Sequence, residues 1–271
     1  MLLAFFKTTL LALAFSIPAK AAGSAYFDAH LHYNAEQTEY VKPQDVIKKL
    51  KQHNISYAAV TSRPPSLVSR LHQLAPDTIV PVLGIYQTHK DKINWPHDAT
   101  LIQRLETALK QKIWRGIGEL HITAKDRHSP VFHRIIKLAS QHRLPLILHA
   151  DPAVIDTVYQ LVAEQPVIWA HAGTFPYPDL IADYLSRYPQ LHVDLSVRDH
   201  RIAPNGVIND SWYDLFNQFP DRFMTGVDTY SVNRWQNLGA VTASMRHWFE
   251  QLPADVAQNI QYKNAKRIYK P

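Results

Sequence analysis

Residues able to hold a divalent cation recur where apolar runs of this 271-residue chain end. The first run closes on Asp28-Ala-His30-Leu-His32, with two imidazoles one residue apart. Later runs close on Gly116-Ile-Gly-Glu119-Leu-His121, Leu148-His149-Ala-Asp151, Trp169-Ala-His171-Ala-Gly173 and Gly226-Val-Asp228-Thr-Tyr230. Imidazole nitrogen and carboxylate oxygen suit Zn²⁺ and comparable ions, and with no cysteine in the chain every ligand must be of this kind. A cation held this way lowers the pKa of bound water toward ~7, so the chemistry in prospect is hydrolysis by activated water. Taken singly, each residue has a plainer reading: a histidine at a strand rim that satisfies its own hydrogen bonds, or a carboxylate that caps the next helix.

The spacing matters only if one framework brings these residues together. Apolar, β-branched runs at Ala25–His32, Tyr57–Ser62, Ile79–Tyr86, Trp114–Ile122, Pro145–Ala150, Val167–Gly173, Leu191–Val197 and Phe223–Tyr230 read as strands buried on both faces. Amphipathic stretches at Lys42–His53, Asp98–Lys110, Val131–His142, Ala153–Glu164 and Pro178–Tyr188 read as intervening helices, several with proline near their starts. The alternation predicts a single-domain (β/α)8 TIM barrel. An open doubly wound sheet is the alternative, but no glycine-rich phosphate loop follows the first strand. Arg198–Asp210, with Pro204, Asn205 and Gly206, is expected to be irregular, and Trp235–Gln251 and Ala254–Tyr269 to form a closing helix pair. In a barrel of this type, chemistry sits at the C-terminal ends of the strands, where four histidines, Glu119 and Asp228 fall. Residues i and i+2 of a strand share a face, so His30 and His32 can both point to the barrel mouth.

Residues 1–22 read as a cleavable signal peptide, with Lys7 early, an apolar core from Leu10 to Ile17, and Ala19-Lys-Ala21 before cleavage after Ala21 or Ala22. The core is short for a membrane span, which needs about 20 apolar residues, and an uncleaved anchor is the alternative. The barrel then occupies residues 23–271 of an exported, periplasmic or secreted protein with no stable membrane anchor after cleavage. Without Lys7 and Lys20, 27 basic residues face 23 acidic ones, a mild excess of +4 spread along the chain. That favours a small, anionic substrate and argues against a nucleic-acid partner, which would call for a basic strip interleaved with aromatics. A homo-oligomer is compatible with this composition.

His-x-His on the first strand, histidines ending strands five and six, and an aspartate ending strand eight resemble the amidohydrolase superfamily. The similarity is greatest to its amidohydrolase-related ("amidohydrolase 2") members, which often close on a helix like that containing Lys263-Asn264-Ala265-Lys-Arg-Ile268. The resemblance implies that His30, His32 and Asp228 hold a first metal, with His149 and His171 binding a second or supporting a single ion. Zinc is the first expectation, manganese or iron the others. Many superfamily members bridge two metals with a carboxylated lysine at strand four. This chain carries Glu119 instead, which resembles the bridging carboxylate of the superfamily's metal-dependent deoxyribonucleases and some related esterases. The implied activity is hydrolysis of a small ester, lactone, amide or related bond. Asp228 would orient water and accept its proton, and the metal or His171 would polarise the oxygen under attack. Phosphoester cleavage, decarboxylation on the same ligands, and a non-catalytic periplasmic metal-binding barrel are the alternatives. Arg63, His121 and Tyr230 are candidate substrate contacts. His89, Arg198 and His200 are loop residues on the same face, while Tyr86 and Trp169 are pocket-lining or simply buried aromatics.

Overall fold

A computed structural model describes residues 25–271; the signal-peptide reading lies outside the described residues. Strands β1 (Tyr26–His32), β2 (Ile55–Thr61), β3 (Ile79–Leu83), β4 (Gly116–Ile122), β5 (Leu146–Ala150), β6 (Val167–Trp169), β7 (Leu191–Asp194) and β8 (Phe223–Met224) lie side by side in chain order. Every neighbouring pair is parallel. Backbone hydrogen bonds from Ala29 N to Thr225 O (2.9 Å) and Asp228 N to His30 O (2.7 Å) join the last strand segment to the first. The result is a single-domain eight-stranded parallel barrel.

Each strand leads into a helix, because right-handed parallel crossovers need one to cover the outer face. These helices span Pro43–Gln52, Ser66–Leu74, Thr100–Leu109, Pro130–Gln141, Pro152–Leu161, Pro178–Arg187, Asp210–Gln218 and Leu238–Phe249. Five of the eight match the amphipathic stretches expected. Ser66–Leu74 and Asp210–Gln218 escaped the sequence reading, each buried on few positions: Val68 and Leu71, and Trp212, Leu215 and Phe216. The segment after Arg198 is less irregular than expected, with short helical turns at Asp199–Ile202 and Pro204–Gly206. The expected strand ends were also too long after β6 and β8, where the chain turns away to form the site.

Two β-bulges aim the ligands. On β1 the pairs Asp28↔Ala58 and Leu31↔Val60 place one extra residue opposite β2. The bulge reverses parity: Phe27 and Ala29 belong to the barrel interior, Leu31 packs outward under the helices, and His30 and His32 face the mouth. On β4, Ile117↔Leu146 followed by Leu120↔Leu148 does the same, leaving Glu119 and His121 inward. Gly118 makes this possible: its φ is +145°, and a Cβ there would stand 2.5 Å from Ile147 O.

The floor of the barrel is a small apolar layer of Phe27, Ala59, Val80, Val82, Ile147, Ile168 and Met224. The C-terminal segment Asn264–Tyr269 seals it from below: Tyr269 stacks on Phe27 with ring centroids 5.6 Å apart and donates to Ala29 O (3.0 Å). His192 on β7 is buried nearby, and burial pushes its pKa down to about 3, aided by Arg222. A depressed imidazole pKa gives stability that is present above pH ~6.5 and lost as pH falls toward the folded value. With the protein metal-free, His192→Gln is therefore expected to lose about 2 kcal/mol less stability than wild type between pH 7.5 and pH 4.5. Melting curves at the two pH values check this; identical pH dependence would contradict it.

Candidate metal centre

All six residues expected to bind metal converge at the C-terminal mouth. His30 Nε2 lies 3.2 Å from His32 Nε2, and His32 Nε2 lies 3.3 Å from Asp228 Oδ1. Glu119 stands at the centre. Its Oε1 is 3.0 Å from His171 Nε2 and 3.1 Å from His149 Nδ1, while its Oε2 is 3.4 Å from His32 Nε2 and 3.8 Å from His30 Nε2. His121 adds a contact at 3.0 Å from Oε2 and stacks on His149 at 4.5 Å. His30, His32, Glu119, His171 and Asp228 are buried, while His149 is part exposed toward the cavity.

Two of these side chains are placed by unusual backbone. His171 follows β6 in a short turn with φ 59°, and Asp228 has φ 57°. Such conformations are strained for residues other than glycine and persist where surrounding structure fixes them. Gly173 ends the His171 turn at φ +77°, against the Trp169 indole. Trp169 is therefore wall rather than pocket: it is fully buried and its indole N–H donates to Ala150 O at 2.8 Å.

Behind the histidines lies Asp194, which the sequence reading did not single out. Its Oδ2 accepts from His30 Nδ1 (2.8 Å) and from Ser196 Oγ (2.6 Å), and Ser196 Oγ in turn meets His171 Nδ1 (2.8 Å). One buried carboxylate thus engages Nδ1 of His30 directly and Nδ1 of His171 through Ser196, so that each Nε2 is the atom left to carry a proton toward Glu119 or to bind a cation. The signal was present as a buried-strand carboxylate after Leu191-His192-Val193, followed two residues later by a serine. Asp194→Asn is expected to weaken divalent metal binding 10–100-fold, the usual cost of losing such support. Competition with a chromophoric chelator measures it; unchanged affinity would remove Asp194 from this role.

The electrostatics agree. Burial alone would raise the Glu119 pKa, but His121, with hydrogen bonds from His149 and His171, holds it well below the usual carboxylate range. Burial would lower His30, yet Asp194 and Glu119 hold it well above its ordinary value. Asp28, fully buried beneath the site, is pushed up to about 7 by burial although its Oδ1 accepts from His30 N and Val227 N.

The donor set fits a divalent cation. The Nε2 atoms of His30 and His32 face each other at 3.2 Å, a separation that needs a proton or a cation between them. Asp228 Oδ1 is buried with no hydrogen-bond partner. Ligands at 2.0–2.1 Å around a tetrahedral ion stand roughly 3.3 Å apart, the distance at which His32 Nε2 stands from both His30 Nε2 and Asp228 Oδ1. Two further groupings, His30–Glu119–His171 and Glu119–His121–His149, also bring one ligand atom each within 4.8 Å of one another.

Arg63, Lys92, Arg198, His89 and Tyr230 line the cavity of about 510 Å³ above this cluster. Arg63 is buried and pairs through Nη2 with Glu36. Arg198 donates to His171 O (2.7 Å) and Gly173 O (3.1 Å), bracing the strained turn. Tyr230 is 58% exposed at the rim. Tyr86 is buried and accepts from His121 N. His200 is exposed and does not line the cavity, and Asp151 takes hydrogen bonds from Ala124 N and Thr174 Oγ1 instead of joining the cluster.

The profile of the TatD related DNase family matches residues 27–175, which carry His30, His32, Glu119, His149 and His171. The chain belongs to this family. Solved structures share the fold at low identity. A TatD homologue from Escherichia coli K12 superposes with TM-score 0.62 and 14% identity over 91% of this chain and 98% of its own. A probable 2-pyrone-4,6-dicarboxylic acid hydrolase from Acinetobacter baumannii, with citric acid bound, gives 0.61 and 14% over 91% and 99%. An amidohydrolase from Burkholderia multivorans with bound zinc gives 0.60 and 14% over 91% and 99%. No curated protein matches the sequence significantly. As a member of the TatD related DNase family, the protein is a metal-dependent hydrolase on a TIM barrel.

Proposed function

We propose that this hydrolase cleaves phosphoester bonds of small substrates with two divalent ions, zinc in first place and manganese or iron as alternatives. One observation carries the proposal: the two oxygens of Glu119 face opposite halves of the cluster, Oε1 toward His149 and His171 and Oε2 toward His30 and His32. A carboxylate placed between two nitrogen sets serves as a bridge, and paired metals suit in-line displacement at phosphorus. His30, His32 and Asp228 would hold one ion, His149 and His171 the other, with Glu119 shared.

Bound there, divalent ions supply hydroxide at neutral pH and Lewis acidity toward the oxygen under attack. The chain's own residues do the rest. Asp228 takes the proton of the attacking water on the carboxylate oxygen not used as a ligand and returns it to the leaving oxygen. Asp194 engages Nδ1 of His30, and of His171 through Ser196, which leaves each Nε2 for the cation. Arg63 and His121 bind the substrate's anionic group, and Tyr230 contacts its organic part at the rim. The cavity of about 510 Å³ suits a small molecule. Family membership favours the end of a nucleic-acid strand in the same cavity as a second reading. The leader at residues 1–22 supports export to the periplasm or beyond, which N-terminal sequencing of protein recovered from that compartment would test.

The decisive assay loads the purified protein with Zn²⁺ or Mn²⁺ and compares aryl phosphates, aryl acetates, a simple lactone and a single-stranded oligodeoxynucleotide. Turnover of phosphate esters is the expected result. Hydrolysis of the acetate or lactone alone would overturn the phosphoester reading in favour of carboxylic esters, and metal binding without any turnover would favour a non-catalytic barrel.

A further inference from the structure

Beside the ligand cluster the cavity extends into a recess between the ends of β1, β2, β3 and β4, lined among others by Asn34, Arg63, Tyr86, Lys92 and His121. Its volume of about 10 Å³ is room for a single oxygen atom. His32, Arg63, Lys92, Glu119 and His121 border both spaces, so the recess opens onto the ligand cluster.

The recess is rich in donors that lack acceptors. Asn34 is fully buried, and its Oδ1 accepts from Arg63 N (3.0 Å), which fixes the amide so that Nδ2 is the end without a partner. Arg63 is 8% exposed and its Nε–H is likewise unmatched. Tyr86 Oη accepts from His121 N at 2.8 Å, leaving its own proton to donate. Lys92 Nζ meets His121 Nε2 at 2.8 Å, and no carboxylate among the described residues forms an ion pair with it. His121 Nε2 is also 3.0 Å from Glu119 Oε2 and cannot donate there while accepting from Lys92. Glu36 pairs with Arg63, while Lys92 feels the charge of Glu119 only across His121 and makes no ion pair with it. Buried donors without acceptors are costly, and two of them beside an unpaired ammonium call for an acceptor from outside the chain.

We infer that this recess is an oxyanion subsite, in which Asn34, Arg63 and Lys92 take the third unesterified oxygen of a phosphomonoester. The inference rests on the phosphoester reading for the bond that is broken. A phosphodiester offers two unesterified oxygens and a monoester three. The recess adds one acceptor position next to the ligand cluster, and a dianionic monoester fills it where a diester leaves it empty. A carboxylate, with two oxygens and one charge, uses the donors less fully.

The test compares p-nitrophenyl phosphate with bis(p-nitrophenyl) phosphate on the metal-loaded protein, in wild type, Asn34→Asp, Lys92→Met and Lys92→Arg. Asn34→Asp keeps the acceptor for Arg63 N and adds a negative charge in the recess, and thermal melts establish that each variant is folded. The ratio of kcat/KM for monoester over diester should fall at least about tenfold in Asn34→Asp and Lys92→Met, chiefly through KM for the monoester, with part recovered in Lys92→Arg. An unchanged ratio in folded Asn34→Asp and Lys92→Met overturns the subsite. If neither phosphate is cleaved, the phosphoester reading fails. The recess is then judged by calorimetry with inorganic phosphate: binding about tenfold weaker in Asn34→Asp supports it, and equal binding overturns it. A preference for 4-nitrophenyl hemisuccinate over 4-nitrophenyl acetate that Lys92→Met abolishes would assign the recess to a carboxylate instead and overturn the phosphate assignment.

Discussion

Replacing Glu119 by glutamine is expected to lower kcat by about a thousand-fold or more, the scale on which removal of a group central to transition-state charge is felt. The variant keeps the size and shape of the side chain, so the barrel should fold. It loses the negative charge that faces His149 and His171 on one side and His30 and His32 on the other. Four imidazoles and Asp228 would then surround a neutral amide, whose nitrogen is a donor and no ligand. Elemental analysis should show the bound metal falling from two equivalents to one or fewer. A variant with full metal content and wild-type kcat would show that Glu119 is a hydrogen-bond acceptor for histidines and not a bridge. Retained activity with one equivalent in both proteins would instead point to a single-metal mechanism built on His30, His32 and Asp228.

The second large effect is on metal content itself. The double substitution His30→Ala/His32→Ala removes two of three donors grouped around His32, which stands 3.2 Å from His30 and 3.3 Å from Asp228. Stoichiometric metal at that position should be lost after dialysis, and activity with it. Metal-free protein is expected to lose stability as well, because His30 faces the buried carboxylates of Asp194 and Glu119 and its removal leaves them uncompensated, in addition to the cost of the cavities left behind. Adding Zn²⁺ should raise the melting temperature of wild type and leave the variant nearly unmoved, by mass action on the folded state. Full metal content in the double variant would refute the assignment of both histidines.

Much of this site was legible in the sequence because a barrel converts order along the chain into position around a ring. Strand-end residues such as His149 and His171 are 22 positions apart in sequence, yet β5 and β6 are adjacent and their ends meet. The pattern at the strand ends was sufficient to name His30, His32, Glu119, His149, His171 and Asp228 together, and Arg63 and His121 beside them. The supporting residues were not legible in the same way. Asp194 reads as a polar residue in a strand until its contacts with His30 and Ser196 are seen, Asn34 stands in a loop, and Lys92 lies in the single helical turn Asp91–Asn94, too short for periodicity to encode. Helix Asp210–Gln218 was hidden because the flanking Asn, Gly and Pro residues look like a loop. The bulges on β1 and β4 are equally silent in the sequence, although they decide which side chains face the mouth.

The seal formed by Tyr269 has a temporal meaning. The hydroxyl that binds Ala29 O belongs to a residue 240 positions downstream, and the ring stacked on Phe27 is the same one. A chain emerging from the ribosome completes β1 long before Tyr269 and cannot close the floor beneath that strand until some 240 further residues have been made. Contacts of such long separation carry a high loop-closure entropy and form late. The open-bottomed ring that precedes closure exposes Phe27 and its apolar neighbours, so any fragment lacking Asn264–Tyr269 should be prone to self-association.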